Sequence, residues 1–228
     1  MRHLFTYGPV PVSEAPCLRL KQTEIGPIPE DWEVVRLGEV GSFQYGYTEK
    51  AVWEEIGPKF LRITDIDLET GFINWEQVPY CKISDGDFSK FKLKKGDILI
   101  ARIGATTGKT CIITSNYKAV FASYLIKFSP SDKLDNLFAF YFTQTKQYWD
   151  QIQENKEGKL KKGISAKLLS QFSIPLPPLP TQQKIAQILK TVDDKISAEE
   201  KKKEALESLF KTMLHHLMTG KIRVKSAC

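Results

Sequence analysis

The chain has 228 residues, of which 42% are hydrophobic and 26% are charged, so it can bury a core and is not an intrinsically disordered chain. It contains no run of about 18 apolar residues and its first residues lack the apolar core of a secretory signal, so a cytoplasmic protein is expected. The four cysteines are scattered and there are only three histidines, a pattern that predicts neither a zinc site nor a disulfide framework.

The net charge of +6 is distributed unevenly along the chain. Residues 1–87 carry 8 Lys and Arg against 15 Asp and Glu, whereas residues 88–180 carry 15 against 6. Residues 181–228 carry 10 against 6. Because Lys and Arg displace counterions from phosphate, the basic middle segment favours a nucleic-acid partner over a merely soluble charged surface.

The first 32 residues contain few signals of regular structure. Residues 1–25 are expected to be a mobile lead-in. Gly26–Trp32, with the sequence Gly-Pro-Ile-Pro-Glu-Asp-Trp, predicts a rigid turn, because glycine and two prolines cannot continue regular structure. Trp32 begins an apolar run and is expected to anchor this turn.

Residues 26–175 are expected to form one domain of mixed secondary structure. Short apolar, β-branched runs bounded by Gly, Asn or Asp predict strands over residues 60–63, 97–101, 111–114 and 119–122. Apolar residues at helical spacing predict a helix over 134–153. The expected fold class is therefore α/β, in the α+β sense, with a mixed sheet followed by one long C-terminal helix.

The chain changes character at a proline-rich segment. Residues 176–180 include three prolines and are predicted to act as a stiff hinge. Thr181 can cap a helix and Gly220 can end it, so a helix is expected over 181–220, with a tail at 221–228. A heptad seam follows this helix, with steps that alternate between four and three residues. Its members are Ile185, Leu189, Val192, Ile196, Glu199, Lys203, Leu206, Phe210, Met213 and Leu217.

The seam predicts how two copies of the helix would pair. In an antiparallel pair centred on Lys201, Glu199 faces Lys203 of the second copy, whereas a parallel pair places like charges opposite each other. An antiparallel homodimer is therefore expected. The alternative is an amphipathic helix that lies on its own domain, and the length of the helix and the preceding prolines count against it.

The segment Gly104–Thr110 has the composition of a phosphate-binding loop but not its spacing. A P-loop has four residues between its glycines and a helix after its Lys-Thr, whereas this segment has three and precedes a predicted strand. An ATP site is therefore not expected. What remains is a basic hairpin, which is either a simple turn or a loop that contacts DNA. The candidate contacts in it are Arg102, Thr106, Thr107 and Lys109.

Two further segments are candidates for DNA contact. The glycine-flanked loop 158–163 is basic, which favours phosphate contact over a merely solvated charge run. The loop near residue 46 carries aromatic and hydroxyl groups suited to base edges, although core packing is the more common role of such a tyrosine. The candidate residues in these segments are Tyr45, Tyr47, Thr48, Lys159, Lys161 and Lys162.

Patterns typical of enzymes are weak or missing in the sequence. Glu154-Asn-Lys156, with Asp135 upstream, only loosely resembles a nuclease metal site and is treated as a coincidence. Leu176-Pro-Pro-Leu179 is not the Asn/Asp-Pro-Pro-aromatic loop of amino-group methyltransferases. We therefore expect no catalytic residue, no metal site and no bound cofactor in this chain.

Taken in order, several segments resemble the specificity subunit of type I restriction–modification enzymes. Gly26–Trp32 is similar to the domain-opening signature of that family. Lys95–Leu99 and Arg102–Gly104 are similar to its central strand and loop. The match is strongest at Ile174–Gln182 and at Leu217–Val224, and the resemblance covers roughly residues 21–225.

The sequence departs from the family pattern in two ways. Thr181 stands where the family usually has an acid, and only the helix cap is expected to change. Family members commonly carry two recognition domains and two long helices in one chain. This sequence has one of each, so it resembles a half-subunit that would dimerise to rebuild the whole.

The resemblance implies a non-catalytic subunit that recognises one half of a bipartite target in double-stranded DNA. As partners it implies two adenine methyltransferase subunits, a restriction subunit and a second copy of this chain. S-adenosylmethionine, ATP and Mg²⁺ would then be used by the partner subunits. The alternatives are a stand-alone DNA nuclease or methyltransferase, and a coiled-coil adaptor without affinity for DNA.

Overall fold

The computed structural model describes residues 1–67, 71, 73–159 and 163–222. The chain divides into two compact units, Met1–Ala186 and Gln187–Cys228. In the described residues the helices are α1 (Arg2–Tyr7), α2 (Asp85–Phe91), α3 (Asn136–Phe142), α4 (Lys146–Lys159), α5 (Ala166–Leu169) and α6 (Leu179–Met218). The strands are β1 (Leu20–Thr23), β2 (Gly26–Pro29), β3 (Glu33–Arg36), β4 (Gly41–Tyr45), β5 (Lys59–Leu61), β6 (Ile98–Ala101), β7 (Thr110–Ile112), β8 (Ala119–Phe121), β9 (Leu125–Pro130) and β10 (Ser173–Leu176). Short strands mixed with helices, followed by one long C-terminal helix, confirm the expected fold class.

The largest sheet has four antiparallel strands in the order β4, β9, β6 and β7. The other pairs are β1 with β2, β3 with β10, and β5 with β8, of which the last is parallel. The four predicted strands correspond to β5, β6, β7 and β8. Strands β4 and β9 were not predicted, because glycine and polar residues dilute the apolar pattern of β4 and Lys127 interrupts that of β9.

Strands β5 and β8 are buried on both faces. Val120 packs in one apolar cluster with Phe60, whereas its neighbour Phe121 packs in another cluster with Leu61 and Leu99. Successive side chains of a strand point to opposite faces, so this alternation between clusters is expected of strands covered on both sides. It explains why continuous apolar runs, rather than alternating ones, identified these strands in the sequence.

Residues 1–25 differ from the expected mobile lead-in. Phe5 in α1 is fully buried, and its ring centroid lies 5.1 Å from that of Phe138 and 6.0 Å from that of Phe142. Burial of a large apolar side chain stabilises a fold by about 1.5–3 kcal/mol, which is enough to hold a short helix in place. The beginning of the chain is therefore part of the core of the first unit.

The segment Gly26–Trp32 forms a strand as well as a turn. Strand β2 contains Pro27 and Pro29 and pairs antiparallel with β1. Proline is tolerated here because each strand of a two-stranded pair has an edge that makes no ladder hydrogen bond. Trp32 is buried at the end of this segment, as expected of an anchor.

The single helix expected over residues 134–153 is two helices, α3 and α4. Between them, the Thr143 hydroxyl donates to the Phe140 carbonyl oxygen at 2.6 Å, and the Thr145 hydroxyl donates to that of Phe142 at 2.7 Å. Threonine side chains that bond to nearby carbonyls compete with the helical backbone pattern. The apolar spacing continues across this break, which is why periodicity alone suggested one helix.

Helix α6 begins at Leu179, ahead of the expected cap at Thr181. Pro180 is compatible with the first turn, because the N–H groups there have no partner inside the helix. The side-chain amide of Gln182 is buried and donates to the Lys133 carbonyl oxygen at 3.1 Å, which fixes this end of the helix on the first unit. The proline segment thus becomes a short link between β10 and α6.

Helix α6 has 40 residues and ends at Met218. Gly220 follows with a φ of 71°, a left-handed conformation that glycine adopts without a steric penalty. This agrees with the expected stop. None of the described helices is long and apolar enough to cross a membrane.

Candidate nucleic-acid interface

One end of the four-stranded sheet gathers loops that lie far apart in the sequence. At this end β4 finishes at Tyr45 and β6 at Ala101, while β9 starts at Leu125. The pairing register aligns these termini, since Tyr45 is opposite Ile126 and Ala101 is opposite Leu125. We call the loops at this end, residues 45–48, 102–109, 122–124 and 163–166, the Arg102 end of the sheet.

Hydrogen bonds join the segment before α5 to this end. The Ile164 backbone N–H donates to the Arg102 carbonyl oxygen at 2.8 Å, and the Ala166 N–H donates to Tyr45 Oη at 3.0 Å. Gly163 lies so close that a β-carbon there would collide with the Arg102 carbonyl oxygen, and its φ is 85°. The three segments proposed separately from the sequence therefore meet at one place.

The Arg102 side chain stacks on an aromatic ring at this place. Its Cζ lies 4.9 Å from the centroid of the Tyr45 ring, a cation–π geometry. Its Nη1 donates to the Ser123 carbonyl oxygen at 3.4 Å, and its backbone N–H donates to that of Tyr124 at 3.1 Å. Its Nε is buried and has no acceptor among the described residues. The guanidinium is therefore oriented by its surroundings, while part of its donor capacity is unused.

The hairpin between β6 and β7 is a tight turn that uses its own hydroxyl groups. The Thr107 side chain is buried and its hydroxyl donates to the Gly104 carbonyl oxygen at 2.7 Å. The Thr106 hydroxyl donates to the Ile103 carbonyl oxygen at 3.4 Å. Lys109 is half-buried, and its ammonium group has no hydrogen bond or ion pair with the described part of the chain. At this hairpin, the Lys109 ammonium group is thus available to a ligand, as is the unused part of the Arg102 guanidinium.

Tyr47 and Thr48 have different surroundings. The Tyr47 backbone N–H donates to the Phe121 carbonyl oxygen at 2.8 Å, and its ring centroid lies 5.2 Å from that of Phe91. Burial, and then the carboxylate of Asp87, raise the pKa of Tyr47. Thr48 is exposed. Of these two residues, Thr48 can reach a ligand, whereas Tyr47 packs against the core.

The second basic loop includes residues outside the described part of the chain. Lys159 is the last residue of α4, and Lys161 and Lys162 lie outside the described residues. The loop continues into Gly163, which packs on the Arg102 carbonyl oxygen. Its C-terminal side therefore adjoins the Arg102 end of the sheet.

The structure adds Tyr124, a residue that the sequence analysis did not single out. Tyr124 lies in the turn between β8 and β9 and is 56% exposed, and its carbonyl oxygen accepts the Arg102 backbone N–H. An exposed aromatic side chain in a tight turn is a recognisable signal. It was missed because β9 was not predicted, so the turn before it was not seen.

Some cations of the basic middle segment serve the fold. Lys127 is buried, and its Nζ lies 3.8 Å from the Asp97 carboxylate. Burial lowers the pKa of Lys127, and Asp97 opposes this change. Lys146 pairs with Asp150 at 2.6 Å on the surface of α4. The positive charge available to a polyanion is therefore smaller than the count from the sequence.

The buried cysteines have the chemistry of inert thiols. Burial raises the pKa of the Cys81 thiol to about 11 and that of Cys111 to about 12, so both stay protonated at neutral pH.

Within the residues that the structure describes, no group of three or more His, Cys, Asp or Glu side chains is arranged to hold a metal ion. The Arg102 end itself offers cations, hydroxyl groups and aromatic faces.

The second unit exposes much of the predicted seam. Ile185, which belongs to the first unit, is fully buried, and Leu189 is buried as well. Leu209 and Leu214, which are outside the seam, are also exposed. The seam residues that are between 41% and 67% exposed are Val192, Ile196, Leu206, Phe210, Met213 and Leu217.

The charged members of the seam have partners in their own helix. Glu199 Oε2 lies 3.5 Å from Lys202 Nζ, and Lys203 Nζ lies 3.9 Å from Glu207 Oε1. Exposed ion pairs of this kind contribute only about 0.2–1 kcal/mol. Both charges can therefore exchange these partners for others at little cost.

Residues 29–208 match the family model described as the type I restriction modification DNA specificity domain. The chain is 34% identical to the type I restriction enzyme MjaVIII specificity subunit of Methanocaldococcus jannaschii, over 99% of this chain and 53% of that protein. It is 32% identical to the putative type I restriction enzyme MjaX specificity subunit of the same organism, over 99% of this chain and 50% of that protein. The chain thus spans about half the length of the curated relatives it matches.

Solved structures share the fold. The HsdS subunit from Thermoanaerobacter tengcongensis matches with a TM-score of 0.57 at 23% identity, over 83% of this chain and 45% of that chain. A chain from structural work on complex assembly and conformational transition of the type I R-M system matches with a TM-score of 0.60 at 22% identity, over 88% of this chain and 47% of that chain. The resemblance inferred from the sequence motifs is confirmed, and the chain belongs to the type I restriction–modification DNA specificity domain family.

Proposed function

We propose that this chain is a DNA-recognition subunit of a type I restriction–modification complex, and that the Arg102 end of the sheet is its DNA-contacting surface. The observation that supports this most directly is the convergence of Arg102, Lys109 and Gly163 at one end of the sheet. Cations gathered in this way neutralise neighbouring phosphates and release their counterions. The DNA specificity model that matches residues 29–208 supports the same assignment.

Two kinds of contact are proposed at this surface. Contacts to phosphates orient the protein but carry no sequence information, and lysines suffice for them. We assign this role to Lys109, Lys159, Lys161 and Lys162. Thr48 and Thr106 are candidates for contacts to sugar, phosphate or base edges, whereas the Thr107 hydroxyl is already bound to the Gly104 carbonyl oxygen and supports the shape of the loop.

The catalytic steps are proposed to belong to partner subunits. The relatives are named as specificity subunits of type I restriction enzymes. We infer that adenine methyltransferase subunits using S-adenosylmethionine, and a restriction subunit using ATP and Mg²⁺, assemble with this chain. Purified alone, the chain is then expected neither to cut or methylate DNA nor to hydrolyse ATP.

The exposed seam of α6 supports self-association. In an antiparallel pair centred on Lys201, Val192 faces Phe210 of the second copy and Ile196 faces Leu206, and all four side chains are exposed in the single chain. Ile185 is already covered within the first unit, so the proposed contact is confined to the exposed part of the seam. Two recognition domains related by a two-fold axis would recognise an inverted, bipartite target.

The test is the sequence specificity of the assembled complex. The chain is expressed with its methyltransferase subunits in a host that lacks other adenine methylation, and methylated adenines are mapped across the genome. The expected result is a single bipartite motif with inverted half-sites. The methyltransferase subunits expressed without the chain are the matched control and are expected to leave no motif.

Two outcomes contradict the proposal. One is an assembled complex that methylates without sequence preference. The other is methylation or cleavage by the purified chain alone, which would make it an enzyme. An asymmetric motif, obtained with this chain as the only specificity component, would contradict the symmetric dimer but not DNA recognition.

A further inference from the structure

Both backbone polar groups of Arg102 form hydrogen bonds, which fix the position of its Cα. Its N–H donates to the Tyr124 carbonyl oxygen at 3.1 Å, and its carbonyl oxygen accepts the Ile164 N–H at 2.8 Å. Gly163 packs directly against that carbonyl oxygen, at a φ of 85° where a β-carbon would collide. These contacts fix the backbone of Arg102, and its side chain is restrained separately by the Tyr45 ring and the Ser123 carbonyl oxygen.

Tyr45 holds the guanidinium and is itself held. Its hydroxyl accepts the Ala166 N–H at 3.0 Å, a bond between residues 121 positions apart in the chain. One face of its ring carries the Arg102 guanidinium at 4.9 Å. The hydroxyl of Tyr45 is thus engaged with the protein, and its ring works as a platform for Arg102.

The donors of Arg102 are only partly used. Nη1 makes a long hydrogen bond of 3.4 Å to the Ser123 carbonyl oxygen, and Nε has no acceptor among the described residues. No carboxylate forms an ion pair with Arg102 in the described part of the chain. Nε is buried and out of reach of DNA, whereas Nη2 makes no hydrogen bond with the described residues and is the donor that an acceptor from outside can bind.

The chemistry of the Arg102 guanidinium distinguishes two possible acceptors in DNA, a phosphate and a guanine edge. A phosphate needs only a positive charge, and a flexible lysine such as Lys109 supplies it. A guanine edge presents two acceptors, N7 and O6, in one plane, which matches the flat fork of arginine and not the point charge of lysine. The contact with the Tyr45 ring and the hydrogen bond from Nη1 to the Ser123 carbonyl oxygen restrain the fork, which a phosphate contact does not require.

We propose that Arg102 is the residue of this chain that recognises a guanine in each half of the DNA target, and that Tyr45 is the positioning residue that sets its plane. This inference rests on the proposed function and assigns the base that the Arg102 end of the sheet selects. Tyr124, exposed on the adjoining turn, borders the same contact.

The test compares variants in the methyltransferase complex, using the motif mapped for the wild-type chain. Arg102→Lys keeps the charge but loses the planar fork, and one G·C position of each half-site is expected to become degenerate. Loss of a bidentate arginine–guanine contact corresponds to roughly 5- to 150-fold in discrimination at that position. Lys109→Gln, the matched control, removes a cation from the same surface and is expected to leave the motif unchanged while weakening all sites equally.

A second measurement uses synthetic duplexes with the mapped target. Replacing the guanine by 7-deazaguanine removes the N7 acceptor and is expected to weaken binding of the wild-type complex, but to have little further effect on the Arg102→Lys complex. Tyr45→Phe keeps the ring and loses the bond to the Ala166 N–H, so it is expected to lose part of the same discrimination. Assembly with the methyltransferase and an unchanged melting temperature show that each variant is folded.

The outcomes separate the inference from the function on which it rests. A wild-type complex without any motif overturns the proposed function and the inference together. A wild-type motif that Arg102→Lys leaves unchanged at every position overturns the inference alone. So does a wild-type half-site without a G·C pair, or an Arg102→Lys variant that weakens binding to all sites uniformly.

Discussion

The two units of the chain place their exposed groups by different means. At the Arg102 end of the first unit, Tyr45 and Ala166 are joined although 121 positions separate them. In the second unit, exposed apolar residues recur along one helix at steps of three and four. The first arrangement exists only when distant strands have paired, whereas the second follows from helical periodicity. A substitution in the core of the first unit should therefore disturb the Arg102 end even though it lies far from it. A substitution on the helix of the second unit should affect only the contacts of the substituted residue.

The largest effect is expected from the core of the first unit. Phe5→Ala removes a fully buried ring that packs on Phe138 and Phe142, and such truncations cost about 3–5 kcal/mol of unfolding free energy. Urea unfolding followed by tryptophan fluorescence measures it. Val12→Ala, at a residue that is 76% exposed, should change stability by less than about 0.5 kcal/mol. If the two variants unfold alike, residues 1–25 do not belong to the core.

A smaller and more local effect is expected in the second unit. Phe210→Ala should weaken self-association by about 2 kcal/mol, roughly 30-fold, because a large aromatic side chain buried in an interface contributes strongly. Sedimentation analysis at micromolar concentration measures the dimer. Lys211→Ala on the same helix should leave association unchanged. A wild-type chain that stays monomeric under these conditions contradicts the proposed pairing.

The buried thiols make the stability of the chain sensitive to alkaline pH. An exposed cysteine thiol has a pKa of 9.0, whereas burial raises the pKa of Cys111 to about 12 in the folded chain. Above about pH 9 the unfolded chain loses a proton that the folded chain keeps, so the unfolding free energy should fall as the pH rises toward 12. Cys111→Ala should make this fall shallower, whereas Cys17→Ala, at an exposed residue, should not. Parallel profiles for both variants would count against the effect of burial on Cys111.

The smallest effect is expected at the charged centre of the seam. Glu199→Lys alone places like charges opposite each other in an antiparallel pair, and should weaken the dimer by about 0.2–1 kcal/mol. Glu199→Lys combined with Lys203→Glu should restore much of the loss. The dissociation constants of the two variants measure this. A combined variant weaker than the single one contradicts the antiparallel register.

Local patterns were enough to predict several elements. The continuous apolar runs gave β5 to β8, because those strands are buried, and the heptad steps with Gly220 gave the long helix. The hairpin between β6 and β7 followed from its glycines. Each of these depends on residues that are close in the sequence.

The remaining features depend on distant contacts. Docking of Phe5 on α3 carries no local signal, and the threonine bonds that separate α3 from α4 do not alter the apolar periodicity. The contact of Arg102 with Tyr45 requires β4 and β6 to be aligned through β9, and β4 and β9 were among the strands that the pattern missed. Tyr124 was missed for the same reason. The sequence thus suggested candidate residues one by one, but it did not indicate that Tyr45 and Arg102 meet at one place.

The central claim is that DNA binds at the Arg102 end of the sheet, and the most direct measurement of it is the salt dependence of DNA binding by the methyltransferase complex. The first variant replaces five cations by glutamine, namely Arg102, Lys109, Lys159, Lys161 and Lys162. The matched variant replaces five lysines of the second unit, namely Lys190, Lys195, Lys201, Lys202 and Lys211. We predict that the first variant lowers the affinity and reduces the slope of log K against log salt by about one unit for each lost phosphate contact, and that the second changes the slope much less. An affinity and slope unchanged by the first variant would contradict the assignment of this surface.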